Sequence, residues 1–294
     1  MVKNKTAWGG DWTNQKLDAF EKYVNAYLAI MHSQKRKYNG WPTTIYFDGF
    51  AGSGSRFLSQ ETENLFKDFN YNKEAEVYKG SVERVLSLAL KFDYYYFVDN
   101  NQDNIESLKR KLLEQNLITS NCHFIHGDVN EQLLKFAALL DKQKAALVFL
   151  DPFGMQIQWS SIEPLKDKRV DLWILVPSGV IINRLLDKKG DLQHIELLES
   201  YFGLQEEEIR KEFYQEKTDR TLFGDIGIVE KTKDAIHKIA KIYVQNLKKI
   251  FKYVTKQPLV LRNSKNVPIY HFVFASNNKT ALTIASQIIE KKQK

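Results

Sequence analysis

The sequence predicts an α/β fold, a doubly wound and mostly parallel sheet with helical additions. Short apolar runs alternate with stretches of helical period, and the runs at Ala145–Leu150 and Val170–Val176 are almost wholly apolar. Strands read that way when helices cover both faces of a parallel sheet, since neither face is left to water. Several runs also close on an acid, at Asp99, Asp128 and Asp151. The carboxyl ends of successive strands are where open α/β sheets bind ligands.

Residues Trp12 to Met31 form an amphipathic helix, because Leu17, Phe20, Val24, Tyr27, Leu28 and Met31 recur at three- and four-residue steps. Asn39-Gly40-Trp41-Pro42 breaks it, and Thr43 to Phe47 is a short β-rich run leading into Asp48–Gly54. Ser55 to Lys79 is polar and aromatic without a period and reads as a surface excursion. Gly80-Ser81 opens a helix with Ser81 as N-cap and Val82, Val85, Leu86 and Ala89 as its stripe. Tyr94–Val98 is a strand and Ile105–Leu117 a helix with Leu108, Leu112 and Leu113 on one side. Cys122–Ile125 follows as a strand and Leu133–Leu140 as a helix.

Beyond the Val170 strand, the acid-rich stretch His194–Lys217 reads as helical, part of a lid or insertion over residues 190–230. Thr232–Val254 reads as one long helix with Ile236, Ile239, Tyr243, Leu247, Ile250 and Val254 inward. Its lysines, Lys248, Lys249 and Lys252 among them, then form a solvated polar face rather than a phosphate-binding ridge. Leu259–Leu261 and His271–Phe274 are the last strands, and Thr280–Ile289 the last helix. The expected division is an N-terminal helical segment over 1–42 and an α/β domain over 43–294.

A chain of 294 residues can bury a sizeable core without disulfides. Its single cysteine, Cys122, excludes a disulfide framework and a thiolate zinc cluster. His123, His126 and His271 lack ligand spacing, so no metal is expected. No apolar run approaches the ~20 residues of a membrane span, and Met1–Gly10 has no apolar signal core. A soluble, cytoplasmic protein without a membrane partner is the expectation. Lys plus Arg number 43 against 36 Asp plus Glu, and the resulting +7 is compatible with nucleic acid without demanding it.

Asp48-Gly49-Phe50-Ala51-Gly52-Ser53-Gly54 follows a strand, and glycines there let the backbone turn tightly against a ligand. A P-loop would end in Gly-Lys-Ser/Thr, and Ser55-Arg56 does not. A dinucleotide fingerprint would carry a further glycine at position 57, which is Phe. What remains is an acid, an aromatic and Gly-x-Gly, the way class I (Rossmann-like) methyltransferases hold the methionyl end of S-adenosylmethionine. Asp48, Phe50, Gly52 and Gly54 would shape that pocket. Asp99, next to Asn100, would take the ribose hydroxyls, and Asp128, next to Val129, the adenine amino group. Each acid can also be read plainly as a helix N-cap, Asp128 with Glu131 as a capping box.

The fourth strand ends in Asp151-Pro152-Phe153-Gly154. An exocyclic base amine is a poor nucleophile because its lone pair is delocalised into the ring. A carboxylate and the Pro152 carbonyl accepting its two N–H bonds would pyramidalise it and aim the lone pair, which is catalysis by orientation. An aromatic would stack on a base taken out of its helix. With one proline instead of two, that aromatic is either Phe153 or Trp159. Asn183-Arg184 lies past the fifth strand, where Arg184 could clamp a substrate phosphate or serve as an ordinary surface residue.

Phe50–Gly54 with a later Asp-Pro-aromatic resembles the ribosomal RNA amino-methyltransferases. The wider pattern resembles the three-Cys-motif partner protein family. It includes Trp12-Thr13 with Lys16-Leu17, Phe47–Gly54, Gly80-Ser81, Phe149–Gln156 with Trp159, Asp171–Trp173 through Asn183–Leu186, and Tyr270–Ser276. That resemblance implies a class I methyltransferase-like fold and a partner carrying three cysteines, often similar to radical S-adenosylmethionine proteins. The function expected is S-adenosylmethionine-dependent methylation of an exocyclic amine on a DNA or RNA base. The alternative is a binding partner or scaffold for the three-cysteine protein, without catalysis of its own.

Overall fold

The computed structural model describes residues 10–53, 80–221 and 224–293. In chain order the elements are α1 (Gly10–Lys37), β1 (Thr43–Asp48), α2 (Ser81–Ser87), β2 (Tyr94–Asp99), α3 (Gln102–Glu114), β3 (Cys122–His126), α4 (Val129–Leu139) and β4 (Lys144–Leu150). Then come α5 (Trp159–Ile162), β5 (Val170–Val176), a π-helical turn (Ser178–Ile182), α6 (Asn183–Leu185), α7 (Ile195–Phe202) and α8 (Glu206–Phe213). The chain closes with β6 (Tyr214–Thr221), β7 (Gly224–Lys231), α9 (Ala235–Leu247), β8 (Tyr253–Val254), β9 (Leu259–Arg262), β10 (Pro268–Ser276) and α10 (Lys279–Gln293).

Eight strands form one sheet in the order β3-β2-β1-β4-β5-β10-β8, with β9 also on β10. Strands β1 to β5 are parallel, and β10 runs antiparallel to β5 and β8. The order reverses between β1 and β4, and an antiparallel strand is inserted beyond β5. That is the sheet of the class I, Rossmann-like methyltransferase fold.

Alternation along the central strands feeds two cores. Ile45, Phe47, Val148, Leu150, Leu172 and Ile174 face the side covered by α4, α5 and α7–α9. Tyr46, Leu147, Phe149, Trp173 and Leu175 face the side covered by α1–α3 and α10. Helix α1 lies over β4 and β5 on that second side. Phe20 stacks on Phe149 at 4.1 Å, and the Tyr23 hydroxyl donates to Asp171 at 2.7 Å. Ser276 donates to the other Asp171 oxygen at 2.5 Å. No helix among the described residues is long and apolar enough to cross a membrane.

Several local expectations change. Ser81 is the first helical residue and Gly80 the N-cap, because the Ser81 hydroxyl is spent on Asp48. Leu113 points to solvent, while Ile105, Leu108 and Leu112 make the buried stripe of α3. The helical period ends at Phe213, and residues 214–221 and 224–231 pair as two antiparallel strands. Helix α9 stops at Leu247, and Val254 lies on a strand.

Burial pushes the Asp171 carboxyl up to about 6, against the pull of its Ser276 and Tyr23 hydrogen bonds. An unfolded aspartate releases its proton near pH 4, roughly, so between about pH 4 and 6 the folded chain binds the extra proton. The stability this group contributes is full below that window and lost as pH rises through it. Urea titrations across pH 4–7 are expected to show that slope in the wild type and a shallower one in Asp171→Asn. Tyr23→Phe, which strips a buried carboxyl of a donor, is expected to cost about 1–3 kcal/mol in the same assay.

Candidate active site

The switch between β1 and β4 opens a crevice at the carboxyl ends of the parallel strands, the ligand-binding position of open α/β sheets. The turn after β1 is laced across it: Gly49 N–H donates to Phe149 O at 3.0 Å and Ala51 N–H to Val98 O at 2.9 Å. A Cβ on Gly49 would lie 2.7 Å from both Leu150 Cδ2 and Val129 Cγ2, so only hydrogen fits. Gly52 sits at φ +62°, and among the described residues nothing lies within 4 Å of a Cβ position, which leaves a cradle there. Gly54 lies outside the described residues.

Asp48 does not face this cradle. It is fully buried, accepting from Tyr46 Oη at 2.9 Å, Ser81 Oγ at 2.6 Å and Phe50 N–H at 3.2 Å. Burial, with the Asp151 charge adding to it, pushes Asp48 up to about 6 against those three hydrogen bonds. Phe50 packs half-buried on the core. Asp99, also buried, accepts Gly52 N–H at 2.9 Å on one oxygen, and Asn101 N–H and the Asn104 amide on the other. The cap of α3 is Asn101. Asn100 is exposed, with its carbonyl 3.2 Å from a His126 ring nitrogen.

Asp128 caps α4 through one oxygen, which accepts from Asn130 N–H and Glu131 N–H. Val129 is buried against Gly49. Each carboxylate oxygen has two lone pairs, so Asp99 keeps capacity beside Gly52. The second Asp128 oxygen takes no hydrogen bond among the described residues. This set suits a ligand carrying vicinal hydroxyls at one point and an amino group at another.

On the far side of the crevice, Asp151 meets a residue that motif reasoning did not place there. The ammonium of Lys16, from α1, donates to both Asp151 oxygens, at 2.5 Å to Oδ1 and closer still to Oδ2. Lys16 is 1% exposed and the Asp151 side chain 22%. Trp12 lies 5.6 Å from that ammonium and stacks on Tyr270 at 5.2 Å, and the Tyr270 hydroxyl donates to Phe153 O at 3.3 Å. Pro152 is buried, whereas Phe153, two residues past Asp151, is 38% exposed. The sequence signal for Lys16 was its position in the buried register of α1, four residues before Phe20.

Other predicted residues fall elsewhere. Trp159 is packed inside, edge-on to Tyr243 and against Gly203, with Nε1 donating to Glu163 at 3.1 Å. The structure does not bring it to the rim. Asn183 accepts Lys231 Nζ on its carbonyl and side-chain oxygens, and Arg184 is exposed on α6. His271 is buried, 2.6 Å from Ser178 Oγ, and burial pushes it down to about 4, so it stays neutral. Among the described residues no group of three or more His, Cys, Asp or Glu could hold a metal ion.

No protein-family model and no curated protein matches the chain. Among solved structures, protein LPL1258 from Legionella pneumophila is similar at 14% identity, covering 90% of this chain and 98% of its own, with a TM-score of 0.38. An rRNA methylase from Streptococcus thermophilus is 13% identical over 66% of this chain and 90% of its own, with a TM-score of 0.30. The N-terminal domain of EvdMO1, solved with SAH bound, is 9% identical over 85% and 79%, with a TM-score of 0.36. The fold assignment rests on the strand order itself.

The two glycines of the turn are expected to separate stability from ligand binding. Gly49→Ala forces a clash with core side chains and is expected to cost about 1–3 kcal/mol by urea denaturation. Gly52→Ala meets no atom of the described residues, is expected to cost about 1 kcal/mol for its left-handed backbone, and places a methyl in the cradle.

Proposed function

We propose that this chain is an S-adenosylmethionine-dependent methyltransferase whose acceptor is an exocyclic amine of a nucleic-acid base. The observation that carries the reading is Asp151, set at the topological switch point, already gripping a nitrogen with both oxygens and followed two residues on by the exposed Phe153. S-adenosylmethionine would supply an electrophilic methyl group. Asp99 would accept its ribose hydroxyls, the second Asp128 oxygen its adenine amine, and the Gly52 cradle would give its tail close backbone approach.

Asp151 and the Pro152 carbonyl would accept the two N–H bonds of the acceptor amine. The nitrogen then pyramidalises and its lone pair is aimed, so the residues contribute orientation rather than a strong base. Phe153 would stack on the base. Lys16 acts through Asp151: it fixes the carboxylate plane, and the lone pairs left over can take a substrate N–H.

The same ion pair also favours a second reading. A carboxylate closed by an ammonium suits a scaffold that binds S-adenosylmethionine and serves a three-cysteine, radical-S-adenosylmethionine-like partner. Methyl transfer to nucleic acid that occurs only with such a partner present would select it.

Calorimetric titration with S-adenosylmethionine and S-adenosylhomocysteine is expected to give micromolar binding, about −8 kcal/mol, lost in Asp99→Ala. Asp151→Ala is expected to keep cofactor affinity within a few-fold while turnover on DNA or RNA falls by at least about 100-fold. Equal loss of both would make Asp151 structural, and no binding by the wild type would end the enzyme reading.

A further inference from the structure

We propose that the edge of the sheet opposite the Asp151 crevice is a docking surface for the phosphate backbone of nucleic acid. Parallel strands β1, β4 and β5 begin on this edge, β10 ends there, and α1 and α9 deliver their C-termini to it. The inference rests on charge distribution and stands apart from the methyl-transfer reading.

The rim is continuous. Trp41 Nε1 donates to Lys142 O at 3.3 Å, and the Arg169 guanidinium lies 4.2 Å from the Trp41 ring centroid. Asn277 bridges onward, donating to Lys168 O at 3.0 Å and accepting Lys252 N–H at 3.0 Å. Cations therefore run in a line across the starts of β1, β4, β5 and β8, about 19 Å at the usual strand spacing.

The connecting segments are one-sided in charge. Residues 35–37 read Lys-Arg-Lys, residues 248–252 carry Lys248, Lys249 and Lys252 with no acid, and residues 166–169 set Lys166, Lys168 and Arg169 against Asp167. Ion pairs to Asp93 and Asp141 engage Lys35 and Lys144 among the described residues.

Cations at helix C-termini complement the helix dipole, which accounts for Lys35–Lys37 and Lys248–Lys249. It also covers Lys168, whose ammonium donates to the carbonyl of Leu140, the C-cap of α4, at 2.8 Å, but not Arg169 and Lys252, which sit immediately before strands. The shortened α9 matters here, because its end moves Lys248, Lys249 and Lys252 off a helix face and onto the rim.

An aromatic pair stands within the line. Tyr38 is 48% exposed and meets Trp41 edge-on at 5.8 Å, with Lys37 over its ring at 5.2 Å. Lines of cations track the phosphates of single or double strands, and an exposed ring among them can also stack on an unpaired base. A line of this shape suits the phosphates of one strand better than the broad plane of an anionic membrane.

The test is fluorescence anisotropy of the full chain with a labelled duplex of about 20 base pairs, about two helical turns, titrated at 50–200 mM salt, a range over which phosphate-dominated affinity falls steeply. Arg169→Glu/Lys252→Glu is expected to weaken binding at least tenfold and flatten the salt dependence. Lys109→Glu/Lys241→Glu, the same charge change on exposed helix positions outside the segments that form the rim, is expected to change it less than threefold. Equal weakening by the two variants, no binding by the wild type, or binding to phosphatidylserine vesicles in place of the duplex would overturn the proposal. Rim variants that keep S-adenosylmethionine affinity but lose the duplex locate the defect at the rim. A wild type that binds the duplex without methylating it counts against the methyl-transfer reading alone.

Discussion

A lysine ammonium with 1% exposure must find a carboxylate, and Lys16 finds Asp151. Desolvating an unpaired charge costs several kcal/mol, roughly, and removing one partner of a buried pair leaves that cost uncompensated. The pair therefore couples two events that chain order separates by 135 residues: the docking of α1 and the setting of Asp151 at the crevice. The rest of α1 reinforces the coupling through Phe20 on Phe149 and Tyr23 on Asp171. Lys292 from α10 also reaches Asp18 of α1 at 3.1 Å. The N-terminal helix is thus one wall of the site, and the orientation of Asp151 is a tertiary property rather than a property of its loop.

The crevice spends its acids unequally. Asp48 is committed wholly inward, to a tyrosine, a serine and a backbone N–H, and its work is to fasten the turn on which Gly52 rides. Asp99 is half committed, since it holds the Gly52 N–H from below. Asp128 gives one oxygen to its helix and has the other to offer. A gradient results, from structural acid to available acid, across β1, β2 and β3. Asp48 and Asp151 feel each other's charge, and Lys16 between α1 and the crevice offsets that repulsion.

The central strands were legible because continuous apolar runs have few other fates, and each observed strand from β1 to β5 begins within a residue of the predicted start. The strand pair at residues 214–221 and 224–231 was not, because its alternating charges satisfy a helical period equally well and, of its described side chains, only Tyr214 joins a core. The end of α9 was hidden because Ile250 and Val254 are buried, as a continuing helix would require, but on a turn and a strand. Ser81 looked like a cap because sequence lists the hydroxyl and not its distant acceptor, Asp48. Among site residues, the acids at strand ends could be read, while Lys16 and Tyr270 could not be assigned a role. Their meaning lies in contacts 135 and 117 residues away along the chain.

An α/β sheet has a built-in polarity that ties these features together. Every helix that returns the chain from one parallel strand to the next ends at the edge where strands begin, so dipole-complementing cations collect there. The same direction of travel puts helix N-termini, strand carboxyl ends and acidic caps at the opposite edge, where the crevice lies. In this chain the cations exceed what the dipoles ask for, and they continue into the strand starts at Arg169 and Lys252. Strand β4, with seven residues, separates the two edges by about 23 Å. Under the proposed reaction, a backbone held at the basic rim would thus not be the strand whose base is presented to the crevice. It would belong to another part of the same nucleic acid, so anchoring and chemistry would be open to independent alteration.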